Sequence, residues 1–321
     1  MSVRHFDWRD LTGLRRWRHE SVFMDSALVL TRGPRVVAGA LLSYLAPNAG
    51  IYTAVSDDSG LGHPVFGQVM QFTDSPFAHL TFIAPDTGLE SPALPELLDH
   101  LAALSGGRGA LRLLADVDEQ TQTYQVLRQA GFAIYTRQRI WQLTSRPVGP
   151  AISAGWRPAR SRDLVAIRSL YTNLVPGLVQ QVEPYPNSRP QGLVLYQHGD
   201  LLAFVELKTG PRGVWAQPFV HPDAPDLSEL FVALVQKIPY RHSRPLYICV
   251  RSYQSWLDLA VEDLGAEAGP RLAVMVKHLA VAQKATWAYT IPALEGGQPE
   301  ITAYIRGEEQ LEVYGTTKNN R

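Results

Sequence analysis

The chain repeats its own order of secondary structure, and this repeat constrains the fold more than any other feature of the sequence. In the first half, an apolar run at 80–84 ends at Pro85, and a helix-like stretch follows. In the second half, a shorter run at 219–221 ends at Pro222, and another helix-like stretch follows. Each half then adds a β-rich run, a further helix, a glycine and a closing strand. A repeat this long indicates a duplicated domain, because solenoid units recur every few tens of residues.

The chain length fits the duplication, since 321 residues suit about two domains of roughly 150 residues each. We expect an N-terminal domain at 1–146, a linker at 147–152 and a C-terminal domain at 153–285. The residues at 286–321 form a polar tail, which we expect to be partly disordered. The domain boundaries follow from the proline and glycine residues that separate the two patterned halves.

The order of elements in both halves is β-α-β-β-β-α-β-α-β, which predicts a mixed α/β domain with parallel crossovers near its C-terminal side. In detail, we expect a strand at 27–30 and an irregular segment at 176–190. Asp10 and Asp163 are predicted to cap the first helix of each half, and Ser91 to cap a later helix of the first half.

The charge balance argues against a nucleic-acid binder, because Lys plus Arg and Asp plus Glu both number 30. No stretch approaches the roughly 20 apolar residues that span a bilayer, and the N-terminus does not resemble a secretory signal. We therefore expect no membrane partner and a cytoplasmic location.

The sequence offers no pattern for a metal site or a disulfide. The single cysteine, Cys249, lies in an apolar run and is expected to be buried. The nine histidines have no metal-ligand spacing.

Two segments carry a resemblance to a known family. Residues 156–167 form a strand followed by an Asp-Leu pair that opens a helix, and Asp10-Leu11 is a weaker version in the first half. Residues 127–132 form a helix end that closes with Gly-Phe before the last strand. Together with the element order, these segments resemble the GNAT superfamily of acyl-CoA-dependent N-acyltransferases. The resemblance implies two tandem GNAT-like domains, each a mixed, mostly antiparallel sheet flanked by helices.

The resemblance implies acetyl-CoA or another acyl-CoA as cofactor, bound where the fourth strand of a domain meets its third helix. In the first half the corresponding cofactor-binding residues are Ile83, Ala84, Gly88, Leu89 and Ser91. Glycines at such a turn let backbone N–H groups approach a pyrophosphate, and a splayed strand beside it takes the pantetheine arm through backbone hydrogen bonds.

Both halves depart from the family's glycine-rich motif. The second half has no glycine after Pro222 and instead carries acidic residues at Asp226 and Glu229, which would repel a pyrophosphate. Neither segment, 81–106 or 218–235, contains a lysine or an arginine.

The candidate catalytic residues are Tyr124, Glu206 and His79. Tyr124 lies one helical turn before the position where the family often places a general acid, and a packed helix tyrosine is the alternative. Glu206 is a mid-strand carboxylate that would serve as a general base, unless it faces solvent or an ion pair. His79, near the end of a central strand, would accept an amine proton, unless its role is structural.

The segment 171–185 corresponds to the substrate-facing helices and loops of the family. Its aromatic residues and Glu183 would line an acceptor pocket, or would cover a domain interface. Two functions follow. The first is a GNAT-like N-acyltransferase that moves an acyl group from acyl-CoA to the primary amine of a small molecule or peptide. The alternative is a catalytically inactive GNAT-like binding or scaffold protein. The oligomeric state stays open.

Overall fold

Strands from both halves join in a single mixed sheet. The computed structural model describes residues 3–33, 39–40, 50–57, 60–72, 75–144, 155–185, 190–238 and 244–279. Within them the strands are β1 (Val3–His5), β2 (Val22–Phe23), β3 (Ile51–Ser56), β4 (Val65–Met70), β5 (Phe77–Ala84), β6 (Arg112–Asp118), β7 (Ala133–Leu143), β8 (Arg157–Pro158), β9 (Gly192–Gln197), β10 (Asp200–Thr209), β11 (Val214–Val220), β12 (Leu246–Arg251) and β13 (Glu267–His278).

Helices flank this sheet in both halves. The α-helices are α1 (Leu11–Arg16), α2 (Ser26–Arg32), α3 (Leu94–Gly107), α4 (Gln122–Gln129), α5 (Leu164–Leu174), α6 (Gly177–Val182), α7 (Leu227–Lys237) and α8 (Asp258–Glu262). Short 3-10 helices precede α1, α3, α5 and α8. No helix in the described ranges is both long and apolar enough to cross a bilayer.

The sheet is mostly antiparallel, as the sequence predicts. Its order is β1-β3-β4-β5-β6-β13-β7-β12-β11-β10-β9-β8, and β2 pairs with β5. The two parallel pairs are β5–β6 and β11–β12. Each is in register over only three residue pairs, at the beginning of its strands. The strands of each parallel pair therefore separate toward their carboxyl ends, which leaves one gap in each half.

The two halves exchange their closing strands. β7, the last strand of the first half, pairs with β12 of the second half along 246–251. β13, the last strand of the second half, lies between β6 and β7. All the described residues accordingly belong to one compact unit. The domain limits derived from the sequence stay a prediction. The predicted linker at 147–152 and the predicted polar tail at 286–321 lie outside the described residues.

The same kind of ion pair occurs at the start of both halves. In the first half, Arg4 Nη1 lies 2.7 Å from Asp10 Oδ2, and in the second half Arg157 Nη2 lies 2.7 Å from Asp163 Oδ1. Each carboxylate also accepts a hydrogen bond, at 2.8 Å, from the backbone N–H three residues before it. Both aspartates therefore fix the turn that precedes the helix. Neither makes the side-chain cap that the sequence predicted, because a 3-10 turn comes before each α-helix.

Three local predictions are wrong for identifiable reasons. The predicted strand at 27–30 is part of α2, because Asp25 caps it by accepting a hydrogen bond from Leu28 N at 2.9 Å. A short apolar run does not distinguish a strand from a buried helix. The segment predicted to be irregular at 176–190 contains α6. The cap position predicted for Ser91 is occupied by Ala93.

Separate apolar clusters pack against the sheet. α3 packs on β3–β6 through its leucine stripe, and α7 and α8 cover the strands of the second half. A third cluster lies beneath α5 and α6 and extends to the exchanged strands β7 and β13. Phe204 belongs to it and is 1% exposed; burial of such a side chain contributes about 1.5–3 kcal/mol. This third cluster forms the apolar floor of the site described next.

Candidate functional site

In the first half, a segment of the same chain fills the gap between β5 and β6. Residues 22–26, called here the inserted segment, pair with β5 at Ile83 and Phe82. Met24 N donates to Thr81 O at 3.0 Å, and Met24 O accepts from Asp116 N of β6 at 2.9 Å. The inserted segment thus uses backbone groups on both sides of the gap. These groups include the strand edge that a pantetheine arm would need.

In the second half, one side chain has the same role. Gln254, which is fully buried, lies in the 3-10 helix after β12. Its Oε1 accepts from Val220 N at 3.0 Å, and its Nε2 donates to Pro218 O at 2.9 Å. The carboxamide therefore occupies the hydrogen-bonding groups at the edge of β11 beside the gap. The edges of both β5 and β11 thus already have hydrogen-bond partners within the chain.

The turn between β5 and α3 has few backbone amides left for a phosphate. Most of them donate within the chain, namely those of Asp86, Thr87, Gly88, Ser91, Ala93 and Leu94. Gly88 is buried, and a Cβ there would lie 2.7 Å from Val65 Cγ1. This glycine allows close packing of the turn on β4 rather than the approach of a ligand.

The predicted cofactor-binding residues do not form an open cradle. Ile83, Ala84 and Ser91 are buried, at 5% exposure or less. Leu89 packs against the apolar cluster under α3. With Gly88 also buried, these residues are fitted to the protein interior, and the turn does not fit a coenzyme A pyrophosphate.

The N-terminus of α7 in the second half is also occupied. The Asp226 carboxylate accepts from Glu229 N at 3.1 Å. A negative charge at this helix end favours the helix dipole and opposes a second anion. A surface pocket of about 370 Å³ next to it includes both Asp226 and Glu229 in its lining, so its charge also disfavours a phosphate.

A buried ionic cluster lies above the apolar floor, where the two halves meet. We define this central cluster as Glu183, Arg251 and Tyr135. Arg251 Nη2 donates to both carboxylate oxygens of Glu183 at 3.1 Å, and Tyr135 Oη donates to Glu183 Oε1 at 2.5 Å. Tyr171 Oη donates to the backbone oxygen of Glu183. The carboxylate at the end of α6 is thus fixed by groups from both halves.

The electrostatics hold this cluster in its charged form. Burial acts to raise the pKa of Glu183, but Arg251 and Tyr135 outweigh it, so the pKa lies below its usual value. Burial acts to lower the pKa of Arg251, but the charge of Glu183 together with neighbouring groups such as Tyr135 raises it well above its ordinary value. Burial raises the pKa of Tyr135, and the Glu183 charge raises it further. The tyrosine is therefore a neutral hydrogen-bond donor.

A second polar group borders the inserted segment. Asp116 Oδ1 accepts from Ser26 N at 2.9 Å and from Ser26 Oγ at 2.8 Å. Its Oδ2 accepts from Gln138 Nε2 at 2.8 Å. Burial raises the pKa of Asp116 to about 7, and the charge of Asp25 adds to this rise. This carboxyl group titrates near neutrality.

The structure brings two of the three candidate catalytic residues to this region. His79 Nδ1 lies 3.8 Å from Asp25 Oδ2, and the His79 side chain is 25% exposed. Burial lowers the pKa of His79, although the Asp25 and Glu183 charges act in the other direction. Glu206 lies on β10 near Lys208, whose pKa it raises. Burial raises the pKa of Tyr185 and of Tyr171, and the Glu206 charge raises both further.

Tyr124 lies elsewhere. It packs partly buried against the apolar cluster under α3, and the Arg128 guanidinium lies 5.9 Å from its ring centre. This is the packed helix tyrosine of the alternative interpretation. The catalytic roles predicted for Tyr124, Glu206 and His79 stay predictions.

Sequence reasoning included Glu183 through its segment but missed Arg251, Tyr135, Gln254 and the inserted segment. A signal for Arg251 existed, because it is the charged residue that ends a buried run, and ligands gather at the carboxyl ends of parallel strands. Asp116 also lies at the carboxyl-end side of such a run. Within the described part of the chain, no group of three or more His, Cys, Asp or Glu residues is arranged to hold a metal ion.

Comparison with known proteins identifies the architecture. No protein-family model and no curated protein matches the sequence. The structure is similar to a GCN5-related N-acetyltransferase from Sphaerobacter thermophilus, with 10% identity, a TM-score of 0.52 and coverage of 86% of this chain and 95% of that chain. It is also similar to a tandem GNAT protein from the clavulanic acid biosynthesis pathway, with 16% identity, a TM-score of 0.52 and coverage of 88% and 99%. At such identities the likeness concerns the fold. The fold that the sequence resemblance implied is thereby confirmed, and this chain has the GNAT fold.

Proposed function

We propose that this chain is a catalytically inactive GNAT-fold protein that binds a ligand without using acyl-CoA. The observation that carries the proposal is that the backbone groups of β5 and β11 beside the two gaps already make hydrogen bonds within the chain. The inserted segment engages Thr81 and Ile83 of β5, and Gln254 engages Pro218 and Val220 of β11. A pantetheine arm would have to break these hydrogen bonds in either half.

The two strand-to-helix turns support the same proposal. The turn before α3 uses most of its amides internally, and the N-terminus of α7 carries the Asp226 carboxylate. An anion at a helix end usually gains about 0.3–1 kcal/mol. That gain is too small to offset both the lost internal hydrogen bonds and the repulsion by a nearby carboxylate.

The acyltransferase is the second candidate, and one observation favours it. The parallel strands in each half still separate after three residue pairs, as they would around a bound arm. In that case His79 or Glu206 would accept the amine proton, and the acceptor would be the amine of a small molecule or peptide. The inserted segment or Gln254 would then have to move away before the donor could bind.

Calorimetric titration with acetyl-CoA separates the two candidates. We expect no binding heat and no rise in melting temperature at millimolar ligand. A parallel titration uses Gln254→Gly, which frees the edge of β11, and we expect no acetyl-CoA binding there either because Asp226 remains. Micromolar binding by the unaltered protein, together with thiol release in the presence of an amine, would overturn the proposal.

A further inference from the structure

The Arg251 guanidinium has more hydrogen-bond donors than the surrounding protein uses. Its side chain is only 7% exposed. Nη2 contacts Glu183, but Nε and Nη1 are buried and have no hydrogen-bond partner among the described residues. A buried donor without a partner costs about 1–3 kcal/mol, and more when it is charged. Such groups in a folded protein indicate a partner outside the described residues.

Two side chains close to this guanidinium are partly exposed, although its own Nε and Nη1 atoms are buried. The Glu183 side chain is 22% exposed, and the His79 side chain is 25% exposed. Tyr171, which donates to the Glu183 backbone, also lines a surface pocket of about 200 Å³. The other lining residues of that pocket are Arg168, Thr172, Gln180, Pro184 and Tyr185. A small molecule in this pocket would therefore lie beside the residues that hold Glu183.

The surroundings favour a ligand with one negative charge. Glu183 already supplies one counter-charge to Arg251, and the Asp116 carboxyl group also acts on this region. A phosphate dianion would meet strong repulsion there, whereas a carboxylate adds a single charge and matches the planar donors of an arginine. The rings of Tyr171 and Tyr185, with centroids 5.4 Å apart, offer an apolar surface for the rest of the molecule.

We propose that Arg251 binds the carboxylate of a small ligand whose apolar body lies against Tyr171 and Tyr185. The proposal rests on the proposed function in that it supplies the ligand class of the binding protein. The carboxylate accepts hydrogen bonds from Nε or Nη1 of Arg251, while Nη2 keeps its contact with Glu183. No covalent step is involved.

The direct test is NMR of the arginine Nε–H groups in the full chain, titrated with sodium benzoate, sodium acetate and inorganic phosphate at constant ionic strength. We expect the Arg251 signal, assigned by its loss in Arg251→Lys, to shift with benzoate at lower concentration than with acetate. Phosphate should have the weakest effect. An Arg251 signal that none of the three moves at millimolar concentration would overturn the proposal, since water would then be its partner.

A matched pair of variants gives an independent readout by calorimetry with benzoate. Arg251→Lys keeps the positive charge beside Glu183 but removes the planar donors, so we expect at least about a tenfold weaker affinity. Arg168→Lys, in the same pocket, should change the affinity by less than about threefold. The reverse order would assign the carboxylate to Arg168 and contradict the proposal. Acetyl-CoA binding would count against the proposed function alone, because the benzoate titration contains no acetyl-CoA and reports on Arg251 directly.

Discussion

Gln254 accepts a hydrogen bond from the backbone N–H of Val220 at 3.0 Å. In the second half, this single side chain supplies hydrogen-bond partners to the strand edge. In the first half, the backbone of the inserted segment supplies them. In each half, backbone groups of the strand beside the gap, β5 or β11, are therefore hydrogen-bonded within the chain. The two halves have thus filled the same position of the fold by different means.

The contact predicts a measurable stability difference. Gln254→Ala leaves the Val220 N–H and the Pro218 carbonyl buried without partners, so we expect a loss of about 3 kcal/mol in the free energy of unfolding. Urea denaturation measures it, and Gln129→Ala at an exposed helix position serves as control, with an expected change below about 0.5 kcal/mol. A similar change in both variants would mean that water reaches the β11 edge.

The repeated ion pair predicts an asymmetry between the halves. Asp163→Asn removes a carboxylate that is 3% exposed, and we expect a loss of about 3 kcal/mol. Asp10→Asn should cost only about 1 kcal/mol, because Arg4 is 39% exposed and keeps a contact with Asp57 at 2.6 Å. Equal losses in urea denaturation would contradict this difference.

The contribution of the Arg157–Asp163 ion pair to the free energy of unfolding should depend on pH in a defined direction. The hydrogen bond from Arg157 lowers the pKa of Asp163 from its ordinary value of 3.8. A carboxyl group with a lowered pKa stabilises the folded state above the unfolded value, and this contribution is lost as the pH falls through the folded value. The cost of Asp163→Asn should therefore be complete at neutral pH and shrink below about pH 4.

Asp116 should act in the opposite direction. Because burial raises its pKa to about 7, its folded form binds a proton more tightly than the unfolded chain does. Its contribution to stability therefore declines as the pH rises from 3.8 to about 7, and is lowest above that range. Between pH 5 and pH 8, Asp116→Asn should reduce the pH-dependent change in the free energy of unfolding by on the order of 2 kcal/mol, allowing for partial exposure. Urea denaturation between pH 5 and pH 8 measures the slope, and parallel profiles for the two proteins would refute the assignment.

The central cluster predicts a ranking of two conservative changes. Glu183→Gln leaves Arg251 without a counter-charge, and we expect a loss of about 3 kcal/mol. Tyr135→Phe removes one hydrogen bond and should cost about 1 kcal/mol. Thermal and urea unfolding give both values. A larger loss for Tyr135→Phe would place the stabilising interaction in the tyrosine and not in the ion pair.

The sequence was a good guide to some elements and a poor one to others. The strands that end just before Pro85 and Pro222 were predictable, because largely buried apolar runs have a strong signal. Glu183 belongs to the aromatic segment 171–185, for which the sequence resemblance implied an acceptor pocket. Residues 27–30 belong to a helix and not to the predicted strand, since four apolar residues have no readable period and the helix depends on the cap at Asp25.

The sequence by itself determined the repeated order of elements, the mixed sheet and the departure from a glycine-rich motif, because these depend on local composition and on the spacing of apolar residues. Only the tertiary structure decided that β7 and β13 exchange places, that residues 22–26 enter the first gap and that Gln254 closes the second. The physical reason is that alternation along a strand specifies which face is buried and leaves its neighbour unspecified. Hydrogen bonds between Met24 and Thr81, or between Arg251 and Glu183, join residues far apart in sequence, and only the folded chain brings them within reach.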